Sequence, residues 1–154
     1  MMKQVKYKVF AYITNRRRLL VFRHLYAPEA GIQVPAGTIE AGEAPEEAVL
    51  REAFEETGLS NLTIDCFLGE QERDMSDFVR DEINHRYFYH LRYDGNPADT
   101  WRHEERDPSG GLEPMPIVFE FFWASLPHGV PPLVADHDRM IPELLRRFSL
   151  EGIY

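Results

Sequence analysis

The sequence predicts an α/β fold in which helices pack against a β-sheet. Several segments are rich in aromatic and β-branched residues, a composition typical of strands, and turns with glycine or proline separate them. Two further segments have the end signals or apolar spacing of helices, at residues 45–57 and 138–148. Because 154 residues are close to the usual size of one domain, we expect residues 1–154 to form a single domain.

The predicted strands begin with a β-hairpin. Residues 6–14 and 19–25 are rich in aromatic and β-branched side chains, and the polar stretch NRRR between them is expected to form the turn. A short strand at residues 32–34 is then expected to lead to the sequence PAG, which should bend the chain. Three more strands are predicted at residues 62–68, 86–93 and 117–123.

The first predicted helix has clear signals at both ends. Pro45 suits the first turn, residues 48–57 contain no helix breaker, and Gly58 stands where a left-handed residue commonly ends a helix. The long segment 94–116 is rich in glycine, proline and charge, so we expect a loop with a short element of its own near residues 100–103. The last predicted helix carries its apolar residues at helical spacing.

Composition and charge narrow the class of protein. Hydrophobic residues make up 44% and charged residues 28%, and no apolar run approaches the ~20 residues that cross a bilayer. The net charge of −9 argues against an extended nucleic-acid surface, although bound divalent cations would still allow phosphate ligands. The N-terminal residues do not resemble a signal peptide and Cys66 is the single cysteine, so we expect a cytoplasmic protein with no membrane partner.

The segment 37–59, GTIEAGEAPEEAVLREAFEETGL, contains seven glutamates and one basic residue, Arg51. On a helix, Glu52 and Glu56 lie side by side at the edge of the apolar face, with Glu55 slightly further round. Like charges at this spacing destabilise a helix by about 0.2–0.5 kcal/mol per pair. Because Mg²⁺ and Mn²⁺ prefer carboxylate oxygens, the functional interpretation is a metal site, and the alternative is a solvated acidic helix face.

The same segment resembles the Nudix box, G-x5-E-x7-R-E-U-x-E-E-x-G-U, in which U is an apolar residue. Every specified position is filled, by Gly37, Glu43, Arg51, Glu52, Ala53, Glu55, Glu56, Gly58 and Leu59. The resemblance implies the α/β/α sandwich of that family, with a mixed β-sheet. It also implies hydrolysis of a pyrophosphate bond in a nucleoside diphosphate linked to another group, by water and with Mg²⁺ or Mn²⁺ as the cofactor.

The resemblance further implies roles for individual residues. Glu52 and Glu56 are the expected metal ligands, and Glu55 is a further ligand or a contact to metal-bound water. The backbone carbonyl of Ala36 is an additional expected ligand. Arg51 is expected to orient these carboxylates. The residues expected to support the site structurally are Gly37, Glu43, which would pair with Arg51, and Gly58.

The catalytic base differs among members of this family, so several candidates stay open. Outside the box they are Glu104 and Glu105 in the predicted long loop and Glu120 on a strand, and a box glutamate is the alternative. We favour the loop pair, and within it Glu105, because loops often carry catalytic groups on a rigid scaffold. The arginines considered for contacts to phosphate are Arg23, Arg86 and Arg102, of which Arg23 is assigned to substrate.

The substrate is the least defined part of this interpretation. The resemblance allows ADP-ribose or a nucleotide sugar, and also a nucleoside triphosphate, as the nucleotide-linked partner. A second hypothesis is a Nudix-type module that binds or senses a nucleotide without cleaving it, and a third is a plain α/β domain with an acidic helix. A homodimer is compatible with the resemblance.

Overall fold

A computed structural model describes residues 3–105 and 117–151, and in this part of the chain seven strands and two α-helices are formed. The strands are β1 (Gln4–Asn15), β2 (Arg18–His24), β3 (Ala36–Thr38), β4 (Leu62–Asp74), β5 (Glu82–Tyr93), β6 (Thr100–Glu105) and β7 (Ile117–Ser125). The helices are α1 (Pro45–Thr57) and α2 (Ile141–Leu150). Three short 3₁₀ turns lie at Pro28–Ala30, Ser76–Phe78 and Val134–Asp136.

The strands form one mixed sheet in the order β4-β5-β1-β2-β7-β6, with β3 paired to β1. Strands β1 and β5 are parallel and pair over eleven residues, from Gln4 opposite Glu82 to Thr14 opposite Arg92. The other pairs in the sheet are antiparallel. The predicted α/β fold with a mixed sheet is therefore confirmed.

The N-terminal hairpin is closed only beside its turn. Strands β1 and β2 pair at Thr14–Leu19 and Asn15–Arg18, and further from the turn each strand pairs with the segment 33–38 instead. The N–H of Ala11 donates to the carbonyl of Pro35 at 2.8 Å, and β3 continues this pairing along β1. Because β1 and β2 do not pair beyond the residues beside the turn, the start of β3 lies beside β1 in the middle of the sheet, next to α1.

The core has two halves, one on each face of the sheet. Alternate residues of β1 point to opposite faces, as the two-residue period of a strand requires. Val9, Ala11 and Ile13 pack with the apolar side of α1, whereas Phe10 and Tyr12 pack with α2. The sheet is thus covered by a helix on each side, which is the expected α/β/α arrangement.

Three expected positions are corrected by the structure. The short strand expected at residues 32–34 is only an isolated bridge at Gln33, and the strand forms at Ala36–Thr38, because this is where β1 offers a free backbone edge. Residues 138–140 form turns, and α2 begins at Ile141 with a proline in its first turn. Glu104 and Glu105 end the strand β6 and do not lie in a loop.

The strands expected at residues 62–68 and 86–93 are longer than expected, since they extend over Leu62–Asp74 and Glu82–Tyr93. A short element was expected near residues 100–103, and it is confirmed as β6. The remainder of the long segment, residues 106–116, lies outside the described residues. Within the described residues, no helix is long and apolar enough to cross a membrane.

Candidate active site

Helix α1 is held in a defined position at both ends. Pro45 occupies its first turn, and Gly58 ends it in the left-handed conformation with φ 76°. The N–H of Gly58 donates to the carbonyl of Phe54, and the hydroxyl of Thr57 donates to the carbonyl of Ala53. Since its apolar side packs on the sheet, the glutamates at the edge of that side face the start of β3.

Glu56 and Glu52 contact β3 directly. Glu56 is only 8% exposed, and its Oε2 accepts a hydrogen bond from the N–H of Ala36 at 3.1 Å. A Cβ atom placed on Gly37 would lie 2.0 Å from Cδ of Glu52, so only glycine allows the Glu52 carboxylate to rest against this strand. Glu55, the third expected ligand, has a side chain that is 56% exposed.

Arg51 links the acidic residues to one another. Its Nε and Nη2 donate to the two oxygens of Glu43 at 2.7 and 2.9 Å, which is a bidentate pair. Its Nη1 donates to Glu52 at 2.8 Å and to Glu55 at 3.2 Å, and Nη2 also reaches the carbonyl of Thr38. The hydrogen bonds from Arg51 lower the pKa of Glu43 to about 2, so this pair remains ionised at neutral pH.

One arginine does not neutralise the whole cluster. Burial raises the pKa of Glu56 well above its ordinary value, and the negative charges of Glu105 and Glu52 raise it further, against the Ala36 hydrogen bond. Burial also raises the pKa of Glu52, against the effect of Arg51, and the charges of Glu55 and Glu105 add to the rise. The charge of Lys8 acts in the opposite direction on Glu56, yet the pKa values of Glu52 and Glu56 stay raised. The positive charge at the site therefore does not balance these carboxylates.

Strand β6 brings Glu105 to this cluster. Trp101 donates from its indole nitrogen to the carbonyl of Thr57 at 2.9 Å, and His103 contacts the carbonyl of Glu55 at 2.8 Å through Nε2. These two contacts hold β6 against the last turn of α1. Glu105 lies on the same face of β6 as both side chains, and its charge acts on Glu52 and Glu56. The neighbouring Glu104 is exposed on the opposite face.

Glu120 and Arg23 lie away from the cluster. Each alternates along its strand with phenylalanines that pack towards α1, namely Phe22, Phe119 and Phe121, so both point to the other face of the sheet. Arg23 lies 3.6 Å from the Glu120 carboxylate and stacks on Phe122, with its guanidinium 4.7 Å from the ring centroid. The structure thus brings Glu105 to the box carboxylates and separates Glu120 and Arg23 from them.

A cavity of about 480 Å³ opens beside the buried carboxylate. Ala36, Gly37 and Glu56 line one end of it, and the floor is formed by side chains of β1 and β5 on the α2 side of the sheet. The lining also includes Lys8, Phe10, Arg80, Asn84, Arg86 and His137. A ligand that fills this space reaches Glu56, the one member of the acidic cluster in the lining, with one of its ends.

A second group of ligand-type side chains exists at Asp65, Cys66 and His90, whose donor atoms lie within 4.8 Å of one another. Both ring nitrogens of His90 are already engaged, with Thr14 Oγ1 at 2.7 Å and with Asp65 Oδ2 at 3.1 Å. Burial raises the pKa of the Cys66 thiol, so the thiolate form that binds metals is disfavoured. This group is best explained by the hydrogen bonds that join His90 to Thr14 and Asp65.

A family model of the NUDIX domain matches residues 5–144. The chain belongs to the Nudix family. The expected family, and with it the expected enzyme class of a Nudix pyrophosphohydrolase, is confirmed by this match. None of the curated proteins matches the chain.

Solved structures share the fold at low sequence identity. The E. coli ORF135 protein has a TM-score of 0.63 at 17% identity, over 96% of this chain and 94% of its own. The MutT NUDIX hydrolase from Burkholderia pseudomallei has a TM-score of 0.61 at 20% identity, over 92% and 99%. A UDP-X diphosphatase has a TM-score of 0.62 at 17% identity, over 98% of this chain and 66% of its own. These likenesses establish the fold of the Nudix protein.

Sequence reasoning did not single out the residues that form the cavity floor. Lys8 and His137 received no role, and Arg86 was only one of three arginines considered for phosphate. The sequence did contain an indication that Arg86 is buried. It lies two and four residues before Phe88 and His90 on the same strand, so it points to the same side of the sheet as these two buried side chains. A charged residue at an inward position of a strand is unusual enough to mark a site.

Proposed function

We propose that this Nudix protein hydrolyses the diphosphate bond of a nucleoside diphosphate linked to another group, with Mg²⁺ or Mn²⁺ as cofactor. The observation that carries the proposal is the position of Glu56, buried beside Glu52 and near the charge of Glu105, at the end of a cavity. The pKa values of the buried Glu56 and the half-buried Glu52 are raised in spite of Arg51 and Lys8, which favours a bound cation, because a cation restores the ionised forms of these acids.

The donor atoms present fit a hard divalent ion. Glu52 and Glu56 offer carboxylate oxygens, the carbonyl of Ala36 lies on the strand that Glu56 contacts, and Glu55 is exposed enough to turn towards them. Glu52 and Glu55 are at present joined through Arg51, which can keep its stronger pair with Glu43 when they turn. When bound, the cation would neutralise phosphate charge and make a water molecule more acidic.

The remaining chemistry is assigned to the protein's own residues. A water molecule attacks one phosphorus atom, a new P–O bond forms, and the bond from that phosphorus to the bridging oxygen breaks. Glu105 accepts the proton of this water, because it lies on the strand face that reaches Glu52 and Glu56. Arg51 holds Glu52 in place through the hydrogen bond at 2.8 Å.

The cavity is assigned to the group that is linked to the diphosphate. Its floor combines the ring of Phe10 with polar side chains, a mixture that is typical of small-molecule sites. We propose ADP-ribose and nucleotide sugars as the substrate class, with nucleoside triphosphates as the second choice. The products would be two phosphate monoesters, or a monophosphate and pyrophosphate from a triphosphate.

The test is a substrate panel with purified protein in Mg²⁺, followed by Glu105→Gln and the matched control Glu104→Gln. We expect turnover with at least one nucleotide-linked diphosphate, and a fall in kcat of about 10²- to 10⁴-fold for Glu105→Gln. Glu104→Gln should stay within about twofold of the wild type, because this side chain is exposed on the other face of β6.

Two outcomes would oppose the proposal in different ways. Equal rates for the two variants would remove Glu105 from the role of base and leave the hydrolase intact. Tight binding of a nucleotide without turnover of any substrate would replace the hydrolase with the binding or sensing module.

A further inference from the structure

Arg86 is a buried cation on the floor of the cavity. It is 1% exposed and lies on β5, opposite Lys8 of β1 in the parallel register. Its guanidinium stacks on Phe10, with Cζ 4.7 Å from the ring centroid. Burying a guanidinium is costly unless each of its donors is paired, so the partners of Arg86 decide what the residue is for.

The partners of Arg86 are all uncharged. Nη1 donates to the carbonyl of Ala135 at 2.6 Å and to Gln71 at 3.4 Å, and Nη2 donates to Asn84 at 3.3 Å and to the sulfur of Met75 at 3.4 Å. Among the described residues, no carboxylate oxygen lies within 4.0 Å of this guanidinium. Nε has no hydrogen-bond partner there and is the one buried side-chain nitrogen or oxygen left unsatisfied in the described chain.

The two acids whose charge acts on Arg86, Asp136 and Asp77, contact a different arginine. Arg73 donates to both oxygens of Asp77 at 3.0 and 2.9 Å and to Asp136 at 3.0 Å. The side chains of these two acids are 56% and 49% exposed, so water screens their effect on the buried guanidinium. Burial lowers the pKa of Arg86 to about 10, which still leaves it charged at neutral pH.

Other cavity residues add positive charge and a donor. Lys8 and Arg80 line the cavity, and Lys8 donates to the neutral hydroxyl of Thr38 at 2.7 Å. His137 accepts a hydrogen bond at Nδ1 from the N–H of Val34, so the proton of its neutral ring is on Nε2. The negative side chains in the lining are Glu29 and Glu56, and Glu56 lies at the end of the cavity that Ala36 and Gly37 also line.

We propose that Arg86 is a specificity residue that binds an anionic oxygen, from a phosphate or a carboxylate, on the part of the substrate that is not cleaved. The inference rests on the proposed hydrolase function and narrows its substrate class. Strand β1 lies between β5, which carries Arg86, and β3, which Glu56 contacts. Because neighbouring strands are about 4.8 Å apart, the anion would lie about 10 Å from β3. Within the proposed substrate class, this favours nucleotide-linked diphosphates that carry a further negative group over ADP-ribose and neutral nucleotide sugars.

Binding can be tested without catalysis by adding inorganic phosphate to the protein in EDTA and measuring the melting temperature. We expect phosphate to raise the melting temperature of the wild type and of Glu56→Gln, and to leave that of Arg86→Gln unchanged. The matched control is Arg92→Gln, which makes the same change at an exposed position of the same strand and should respond like the wild type. A phosphate response that persists in Arg86→Gln, or is absent from the wild type, overturns the proposal.

Two pairs of compounds then separate the possible anions in Mg²⁺. UDP-glucuronate and UDP-glucose differ by a carboxylate, and coenzyme A and dephospho-coenzyme A differ by a phosphate. We expect kcat/KM to favour the anionic member of one pair by about 10- to 100-fold, and Arg86→Gln to abolish the preference through KM. Equal values for both members of both pairs contradict the proposal, while turnover itself still supports the hydrolase.

If Arg86→Gln does not fold, the same measurements can be made on Arg86→Lys and His137→Asn. Arg86→Lys keeps the charge and lacks Nε–H, so the phosphate affinity should fall by about tenfold. His137→Asn can still accept from Val34 and removes the Nε2 donor, and it should weaken phosphate binding in the same direction. Unchanged phosphate affinity in both variants rules out Arg86 as the anion site.

Discussion

From the burial of His137 we predict that the protein loses stability in mild acid. The ring is 7% exposed, lies edge-on to Phe10 at 4.9 Å between centroids, and accepts a hydrogen bond from the N–H of Val34 at 3.1 Å. Burial, followed by the positive charges of Arg86 and Arg73, lowers its pKa to about 3. The folded protein therefore keeps His137 neutral, and its contribution to stability is lost as pH falls below the unfolded pKa of about 6.5.

The magnitude follows from the two pKa values. At pH 5 the unfolded chain protonates this histidine and the folded chain does not, since pH 5 is well above the folded pKa of about 3. The free energy of unfolding should therefore fall by about 2 kcal/mol between pH 7 and pH 5 through this residue alone. For a chain of this length, that corresponds to a decrease of about 4–8 °C in melting temperature.

The assay compares the wild type with His137→Asn by urea denaturation in EDTA at pH 7 and pH 5. Asparagine does not titrate and can accept the same hydrogen bond, so the pH-dependent loss should be smaller in the variant by about 2 kcal/mol. His90, whose pKa burial also lowers, is present in both proteins and cancels in this comparison. The control is His128→Asn, a change at an exposed position, which should keep the wild-type dependence. An identical pH dependence in the wild type and His137→Asn would refute the reasoning.

Three further predictions concern the acidic cluster. Gly37→Ala places a Cβ 2.0 Å from Cδ of Glu52 and should lower Mg²⁺-dependent kcat by about 100-fold with little change in melting temperature; unchanged kinetics would show that the contact is irrelevant. Glu56→Gln should raise the free energy of unfolding in EDTA at pH 8 by about 1 kcal/mol or more, because burial makes the ionised form of Glu56 unfavourable and so raises its pKa. A lower free energy of unfolding in urea titrations would contradict this. Arg51→Gln should destabilise the fold by about 2 kcal/mol in the same assay, and a neutral result would mean that its network adds nothing.

The sequence predicted correctly those features that depend on residues close to one another along the chain. Helix α1 begins at Pro45 and ends before Gly58 as expected, since a proline and a left-handed glycine determine its ends without help from the rest of the fold. The box pattern likewise identified Glu52 and Glu56, because three or four residues along a helix bring side chains together. These features needed no knowledge of distant contacts.

Errors occurred where distant pairing decides the structure. The strand at Ala36–Thr38 forms because β1 separates from β2 and offers an edge, and the isoleucine and valine of residues 32–34 gave no hint of this. Glu105 and Glu104 differ only in the face of β6 on which they lie, which becomes meaningful once Trp101 and His103 contact α1. A sequence pattern without the sheet order does not distinguish these two acids.

The cavity shows the same limit. Arg86, Lys8 and His137 come from three distant parts of the chain and meet only through the parallel pairing of β1 with β5 and the turns before α2. Their chemistry depends on burial and on which hydrogen-bond partners remain, as the unpaired Nε of Arg86 illustrates. Strand parity indicates only that Arg86 points inward, and residue spacing does not give the hydrogen-bond partners that remain there.

The central claim is that the glutamates at the edge of α1 form a divalent-metal site, and Mn²⁺ binding followed by electron paramagnetic resonance tests it most directly. Titrating the protein into Mn²⁺ should reduce the signal of the free ion for the wild type. The reduction should be lost or strongly weakened in Glu56→Gln and retained in Glu72→Gln, a change at an exposed position of β4. If Mn²⁺ stays free with the wild type, or binds Glu56→Gln equally well, the metal site is not where this structure places its buried carboxylates.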